Sequence, residues 1–121
     1  MADRPVVGVL VPNLFLRLPI EAAVRSAGAQ PRVISSVHEA RASRCRVLVL
    51  DLAGADGDVA ATIRALTRAG TTVLAFGHRI DEARLREARG AGALAMSRSA
   101  FLPRLPELLA LALDAAPPPL G

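Results

Sequence analysis

The sequence predicts a single α/β domain with a doubly wound, five-stranded parallel sheet, and three observations lead to this prediction. The segment Val47-Leu48-Val49-Leu50 is an uninterrupted apolar run that leads into Asp51, which is typical of a central strand covered on both faces. Segments with strand and helix patterns alternate along the chain with short connections, as right-handed crossovers require. The chain has 121 residues, of which 52% are hydrophobic, and this is enough for one ordinary core.

The first strand and the first helix are predicted over 5–11 and 14–27. The strand segment reads PVVGVLV, and Gly8 inside it indicates that a neighbouring backbone approaches closely. Asn13 is a favourable N-cap for the helix. Because Pro19 lacks a backbone donor and its ring clashes with the preceding turn, the helix is predicted either to kink at this proline or to begin there.

The elements that lead to the central strand are shorter. The apolar segment 31–35 predicts a second strand near an edge of the sheet. Ser36 is expected to open a weak helix over 37–43. The third strand is predicted over 45–52 and carries Asp51 at its carboxyl end, where open α/β sheets bind their ligands.

Two aspartates mark the helices of the second half. Asp58 and Asp81 stand at N-cap positions and predict helices over 59–69 and 82–89, with a buried fourth strand over 72–76 between them. On the second of these helices the arginines are predicted to face solvent: Arg84, Arg86 and Arg89.

The C-terminal part predicts a short fifth strand and one long helix. The strand is predicted over 93–96, and the helix over 101–115 or 103–115, depending on where it begins. A proline run then ends the helix. We therefore expect one domain over 1–116 and a proline-rich tail over 117–121, with the common strand order 2-1-3-4-5.

Composition excludes several classes of protein. The net charge is +4 and every basic residue is arginine, but no basic run with interleaved aromatics occurs, which argues against nucleic-acid binding by this chain. No apolar run is long enough to span a membrane and no secretion signal is recognisable. The single cysteine, Cys45, excludes an internal disulfide. We expect a cytoplasmic bacterial protein.

Three short segments and the order of the elements resemble one known family. The segments are Leu50-Asp51-Leu52 with the following Gly54-Ala55-Asp56-Gly57, Ala91-Gly92-Ala93 before the fifth strand, and Met96-Ser97-Arg98-Ser99 after it. Over nearly its full length the chain resembles a response-regulator receiver domain, which has a flavodoxin-like fold. In such domains an aspartate at the end of the third strand accepts a phosphoryl group, and Asp51 has that position.

A second likeness is to uncharacterised stand-alone receiver-like proteins, and it implies no activity. It is carried by Asn13-Leu14-Phe15-Leu16-Arg17, Gly77-His78-Arg79-Ile80-Asp81 and Arg98-Ser99-Ala100-Phe101.

Other receiver positions depart from the family pattern. The resemblance implies an acidic pair at the end of the first strand that holds Mg²⁺, but Pro12 and Asn13 stand there. It implies a hydroxyl residue after the fourth strand, where Gly77 is nearest, and a lysine after the fifth, where Arg98 stands. Because Mg²⁺ needs hard, charged oxygen ligands, we expect no metal and no cofactor.

The sequence therefore predicts a pseudo-active site around Asp51, in which the guanidinium of Arg98 pairs directly with the carboxylate. Its residues are Asn13, Arg17, Gly77, His78, Ser97 and Arg98. Structural roles remain as alternatives. Asp51 can accept hydrogen bonds from nearby backbone amides, Arg98 can be a solvated loop charge, and Ser97 and Ser99 can cap the final helix.

The last helix has leucines around much of its circumference, and one sheet face cannot bury all of them. A leucine left outside favours a partner, and a symmetric dimer is the default expectation. We therefore predict a homodimer through the final helix and the fifth strand. The predicted interface residues are Leu102, Leu105, Leu108, Leu109, Leu111 and Leu113.

These features predict a non-enzymatic pseudo-receiver that binds an unidentified protein partner in bacterial signalling, independently of phosphorylation. No hydrolase, dinucleotide, P-loop or thiol-redox motif supports an enzyme. Two alternatives stay open. One is an anion-binding protein that uses an arginine-rich pocket for phosphate or a nucleotide, and the other is a true phospho-accepting regulator at Asp51. The pocket of the first alternative is formed by Arg17, His78, Arg79, Arg98 and Arg104.

Overall fold

The computed structural model of the chain describes residues 4–55, 57–78 and 80–114. In it, five parallel strands form one sheet in the order β2-β1-β3-β4-β5, which confirms the predicted fold class. The strands are β1 (Val6–Leu10), β2 (Gln30–Val33), β3 (Val47–Asp51), β4 (Thr72–Gly77) and β5 (Leu94–Ser97). The helices are α1 (Leu14–Ser26), α2 (Val37–Ser43), α3 (Val59–Arg68), α4 (Glu82–Gly90) and α5 (Arg98–Asp114).

Each face of the sheet has its own hydrophobic core. On one face, Ile20 of α1 and Leu109 of α5 pack against side chains such as Val49 of β3. On the other face, Ile63 of α3 and Leu85 of α4 pack against the alternate side chains of the same strands. Because all five residues of β3 are buried between these two layers, the strand is as apolar as the sequence pattern requires. Its direction places Asp51 at the carboxyl edge of the sheet.

Helix α1 begins directly after the first strand and runs through its proline. Asn13 is the N-cap, and its Oδ1 accepts a hydrogen bond from the N–H of Phe15 at 2.9 Å. Pro19 lies inside the helix and is exposed, so the carbonyl that its missing N–H leaves without a partner can be hydrated. The helix therefore does not begin at Pro19, because the asparagine cap is the stronger start signal.

Helix α5 begins three residues before Phe101, the earlier of its two predicted starts. It starts at Arg98, immediately after β5, and contains both Pro103 and Pro106. Both prolines are exposed, so their rings point away from the core while the helix continues. No break is needed at either proline, because the missing hydrogen bonds face solvent. The predicted helix end at residue 115 and the tail over 117–121 lie outside the described residues.

The predicted leucine interface on α5 is wrong as a single exposed surface. Leu105, Leu108 and Leu109 are at most 4% exposed and belong to the core between α5 and the sheet. Leu102 and Leu113 are partly buried against the same core. Leu111 is the exposed member, at 65%. Leu105, Leu108, Leu109 and Ala112 follow the i, i+3, i+4, i+7 spacing of one helix face, so the sheet-facing side of α5 buries most of the leucines.

Besides Asn13, the predicted helix caps agree with the structure at two of three further positions. Ser36 and Asp58 accept hydrogen bonds from the backbone N–H groups of Glu39 and Ala61, at 3.1 and 3.0 Å. Asp81 occupies the N-cap position of α4, but its side chain has no capping hydrogen bond.

Two arginines of α4 differ from the prediction that they are merely solvated. Arg84 Nη1 donates to the carbonyl of Leu52 at 3.1 Å, and Arg89 Nε donates to the carbonyl of Ala95 at 2.8 Å. Both guanidinium groups reach back to the sheet because a long side chain can cover apolar surface with its stem while its head finds a polar partner.

Candidate functional site

Asp51 is the buried carboxylate at the carboxyl edge of the sheet, and 8% of its surface is exposed. A short 3₁₀ turn, Leu52–Gly54, follows it directly. Asp51 Oδ1 accepts a hydrogen bond from the N–H of Ala53 at 3.0 Å. The structure thus gives Asp51 the capping role that the sequence allowed, because it satisfies an amide of the turn.

Burial raises the pKa of Asp51, since the charged carboxylate loses hydration. The hydrogen bond from Ala53 and the positive charges of Arg98 and His78 lower the pKa of Asp51, and these opposing effects are smaller than the burial. Arg98 and His78 therefore lie close enough to act on the carboxylate. The predicted Asp51–Arg98 ion pair is not formed, however, because the ion pairs among the described residues do not include it. The Arg98 side chain remains exposed to solvent.

The raised pKa predicts a pH-dependent contribution of Asp51 to stability. The folded protein binds this proton more tightly than the unfolded chain, so the contribution is fully present below the ordinary aspartate pKa. It declines as the pH rises from about 4 to the raised value of the folded state. In Asp51→Asn the amide oxygen can still accept from Ala53, and the titration is gone.

We expect the stability of Asp51→Asn relative to the unmodified protein to increase as the pH rises. The quantity compared is the difference between the two free energies of unfolding. Urea unfolding between about pH 3 and pH 7 measures the difference. Asp81→Asn is the control for loss of an exposed carboxylate whose side chain makes no capping bond. A difference that stays constant, or that shrinks with rising pH, contradicts the burial argument.

The end of β1 brings a ring and an amide to the site. The ring of Pro12 packs over the 3₁₀ turn, because a Cβ built on Gly54 would lie 2.5 Å from Pro12 Cγ and 2.6 Å from Pro12 Cδ. The Asn13 side chain is engaged in capping α1. The position at which the family resemblance implies metal-binding acids is thus occupied by a proline ring and a neutral cap.

This close contact predicts that Gly54→Ala destabilises the protein by about 1–3 kcal/mol, because the new methyl group overlaps the Pro12 ring. Gly90→Ala is the matched control. Nothing lies within 4 Å of a Cβ at Gly90 in α4, so the change is expected to be neutral or to stabilise by up to about 1 kcal/mol. Thermal or urea unfolding of both variants tests the pair. Equal effects would contradict the packing of Pro12 on the turn.

The end of β4 forms another part of the mouth. Gly77 is the last residue of this strand and is buried. A Cβ at this position would contact the side chains of Leu52 and Leu85 at 3.5 Å. This strand end therefore offers apolar surroundings and no hydroxyl group.

A small open cavity of about 190 Å³ lies at the same edge, beside the start of α5. The hydroxyl groups of Ser97 and Ser99 are 3.4 Å apart there. The cavity is lined by His78, Ser97, Arg98 and Ser99. Five of the predicted site residues are thus brought to one mouth: Asp51, Gly77, His78, Ser97 and Arg98.

The predicted arginine-rich pocket is smaller than expected. Arg17 Nε lies 3.6 Å from Glu21 Oε2 on its own helix, and Arg104 Nε lies 3.9 Å from Glu107 Oε2. Both charges are thereby paired with carboxylates one turn away rather than aimed at Asp51. Arg79 lies outside the described residues. Of the predicted anion cluster, Arg98 and His78 line the cavity.

Solved structures with the same architecture identify this arrangement. A response regulator from Thermotoga maritima superposes with a TM-score of 0.74 at 18% identity, covering 93% of this chain and 99% of that one. The receiver domain of a Francisella response regulator gives a TM-score of 0.73 at 16% identity, covering 90% and 96%. The chain has the fold of a response-regulator receiver domain.

An orphan response regulator of H. pylori has the same receiver fold, with a TM-score of 0.69 at 14% identity and coverage of 91% of this chain and 99% of that one. No protein-family model matches the sequence, and no curated protein gives a significant match. Within the described ranges, no helix combines the length and apolar character needed to cross a bilayer. The same part of the chain contains no group of three or more His, Cys, Asp or Glu side chains placed to hold a metal ion.

One polar contact at this edge of the receiver fold was missed by the sequence argument. The hydrogen bond from Arg84 to the Leu52 carbonyl ties α4 to the turn that follows Asp51. The charge pattern of α4 alone could not reveal it, because the acceptor is a backbone carbonyl 32 positions earlier in the chain.

An exposed apolar cluster on the first turns of α1 was also missed. Phe15 is 87% exposed, Leu18 is 56% exposed and Leu14 is 49% exposed. The helical spacing of this segment carried a signal, because Leu16 and Ile20 fill the sheet-facing side and leave these three residues without a place in the core. The cluster lies beside Asn13, at the same carboxyl edge as Asp51.

Proposed function

We propose that the chain is a non-enzymatic pseudo-receiver that acts in bacterial signalling by binding a protein partner, independently of phosphorylation. The observation that carries the proposal is the end of β1, where the Pro12 ring packs on Gly54 and Asn13 caps α1. Phosphoryl transfer to a carboxylate needs its developing negative charge neutralised, and Mg²⁺ held by further carboxylates does this best. Asp51 together with the neutral amide of Asn13 is a poor substitute for such a set of carboxylates.

The exposed cluster of Leu14, Phe15 and Leu18 supports a binding role. Large apolar side chains that lie together on a surface are typical of protein-interaction sites. An aromatic residue at such a site contributes a large share of the binding free energy. We assign this cluster to the partner-binding surface of the proposed pseudo-receiver.

Incubation with Mg²⁺ and a small phosphodonor, followed by intact-mass measurement, tests the absence of phosphorylation. The protein is expected to keep its mass under conditions that modify a working receiver domain run in parallel. A stoichiometric phosphate adduct that disappears in Asp51→Asn would show a true phospho-accepting regulator and overturn the proposal.

The interaction role is tested by crosslinking in cells that express the tagged chain. A specific partner is expected to be lost with Phe15→Ser and retained with Leu111→Ser, which replaces an exposed apolar side chain on α5. Equal loss in both variants would contradict the assignment of the α1 cluster.

We also propose a homodimer through β5 and α5, with fewer exposed leucines at its interface than the sequence suggested. Leu94 on the edge strand β5 is 45% exposed and Leu111 on α5 is 65% exposed. Leu94 pairs with Leu74, which faces the α5 side of the sheet, so the two exposed leucines belong to the same face. Light scattering is expected to give a two-chain mass that Leu111→Arg reduces. A monomer at micromolar concentration contradicts it.

Anion binding at the mouth is the second candidate function, and the cavity beside Arg98 favours it. A guanidinium, an imidazole and two hydroxyl groups are donors suited to a phosphate group. Inorganic phosphate is then expected to raise the melting temperature of the protein but not that of Arg98→Ala. The absence of a shift with phosphate or nucleotides would remove this candidate.

A further inference from the structure

We infer a second anion site at the opposite, amino edge of the sheet, which binds small molecules through their phosphoryl groups. It is formed by Arg41 and Arg44 at the end of α2 and by Arg46 just before β3. This site lies one strand length, roughly 16 Å, from Asp51 and does not depend on the proposed pseudo-receiver function.

The three guanidinium-bearing residues line one open cavity of about 400 Å³. This volume is in the range of sites that hold small ligands. Among the described residues the lining includes no carboxylate, and its charged side chains are all arginines. The described lining residues are Arg41, Arg44, Cys45, Arg46, Leu66, Ala69, Gly70 and Thr71.

Two of these arginines lack an internal partner. Among the residues that the structure describes, neither Arg41 nor Arg44 forms an ion pair or a side-chain hydrogen bond. Arg46 is held in place, because its Nη2 donates to the carbonyl of Leu113 at 3.0 Å. Other arginines elsewhere on the surface are paired with glutamates: Arg17, Arg25, Arg89 and Arg104.

The guanidinium groups of Arg41 and Arg44 do not donate hydrogen bonds to the carbonyl groups at the nearby end of α3. The Leu66 carbonyl accepts from the N–H of Ala69 and from that of Thr71, at 3.1 and 2.9 Å. The Thr71 hydroxyl donates to the Cys45 carbonyl at 2.8 Å. The carbonyl groups of Leu66 and Cys45 therefore already have donors, and the guanidinium groups of Arg41 and Arg44 are left for a ligand.

The backbone at Arg44 is an independent observation. Arg44 caps α2 in the left-handed conformation, with φ 52° and ψ 45°. Glycine or asparagine is the usual residue in such a position. The other described residues with positive φ are all glycines: Gly28, Gly57, Gly70 and Gly92. A long charged side chain at a strained position beside a cavity is typical of a functional residue.

The composition of the cavity selects the ligand class. Guanidinium groups bind phosphate with paired, charge-assisted hydrogen bonds, and the two that are left for a ligand, those of Arg41 and Arg44, suit a molecule with two phosphoryl groups. Among the residues that the structure describes, no aromatic side chain lines the cavity, so a nucleobase has no ring there to stack on. We therefore expect recognition of the phosphoryl groups alone, by a concave site, rather than binding of a nucleic acid.

Calorimetric titration with inorganic pyrophosphate at low salt tests the site. Binding is expected for the unmodified protein, and ATP is expected to bind with an affinity within about tenfold of that of tripolyphosphate, because the base adds little. The double variant Arg41→Ala, Arg44→Ala should weaken pyrophosphate binding by about 100-fold or more, since each lost charged hydrogen bond costs about tenfold. Arg86→Ala, which removes an exposed arginine of α4, should leave it unchanged.

Arg44→Gly separates binding from folding. Glycine adopts the left-handed conformation without strain, so this variant should melt at the same temperature as the unmodified protein or higher while binding pyrophosphate about tenfold more weakly. No binding of pyrophosphate, or binding that survives the double variant, overturns the inference. Tight binding of duplex DNA without pyrophosphate binding overturns the inference in favour of a nucleic-acid surface. Loss of pyrophosphate binding in Arg98→Ala also overturns it, because the anion would then bind at the carboxyl edge.

Discussion

Leu109→Ala is expected to lower the free energy of unfolding by about 3–4 kcal/mol, whereas Leu111→Ala, two positions along the same helix, changes it by less than about 0.5 kcal/mol. Leu109 is fully buried between α5 and the sheet, and Leu111 is 65% exposed. The loss at Leu109 combines the transfer free energy of the side chain with the cavity left behind. Urea unfolding of the two variants measures the contrast.

The pair also tests the correction to the predicted dimer surface. If α5 used its whole leucine set between two copies, both variants would affect the oligomeric state and Leu109→Ala would leave the stability of a single chain nearly intact. Similar losses of stability for Leu109→Ala and Leu111→Ala would contradict the position of α5 on the sheet.

The combined variant Pro12→Asp, Asn13→Asp is expected to create a Mg²⁺ site of roughly millimolar affinity, which we propose that the unmodified protein lacks. Both new carboxylates would stand at the end of β1, at the same edge as Asp51. Aspartate is as good an N-cap as asparagine, so α1 keeps its start. Removal of the Pro12 ring also frees the space over Gly54. Calorimetric titration with Mg²⁺ measures the gain.

Two further variants control this experiment. Asn13→Asp alone adds one charge without opening the space under Pro12 and should bind Mg²⁺ more weakly than the combined variant. The combined variant carrying Asp51→Asn should lose the gain, because it lacks the central ligand. If the combined variant does not respond to Mg²⁺, the missing carboxylates are not what distinguishes this site.

The architecture could be predicted from the sequence because its signals are local and repeated. The apolar run that ends at Asp51 is buried along its whole length, as its composition indicated. Ser36 and Asp58 cap the helices that they were expected to open. Each of these predictions rests on residues within one element, so it did not require knowledge of the neighbouring elements.

The errors arise where distant residues decide the outcome. Pro103, one of the two predicted starts of the last helix, lies inside α5 because its exposed position lets water take the place of the missing donor. Arg84 binds a carbonyl that the sheet brings to it. Arg98 lies near Asp51 without a direct ion pair, since the start of α5 directs its side chain to solvent. Periodicity and spacing contain no information about such long-range approaches.

The two basic regions illustrate the same limit. The arginines predicted to meet at the carboxyl edge include Arg17 and Arg104, which pair with glutamates on their own helices. The sequence around Arg41 and Arg44 does not predict a site, because the two arginines are scattered among small and polar residues. Only the fold brings them to one cavity with Arg46.

Titration of the ¹⁵N-labelled protein with Mg²⁺ tests the central claim most directly, because the Ala53 amide donates to Asp51 and reports on any ion that reaches the carboxylate. No saturable shift of the Ala53 resonance is expected up to about 20 mM Mg²⁺. A saturable shift at millimolar or lower concentration that disappears in Asp51→Asn would contradict it.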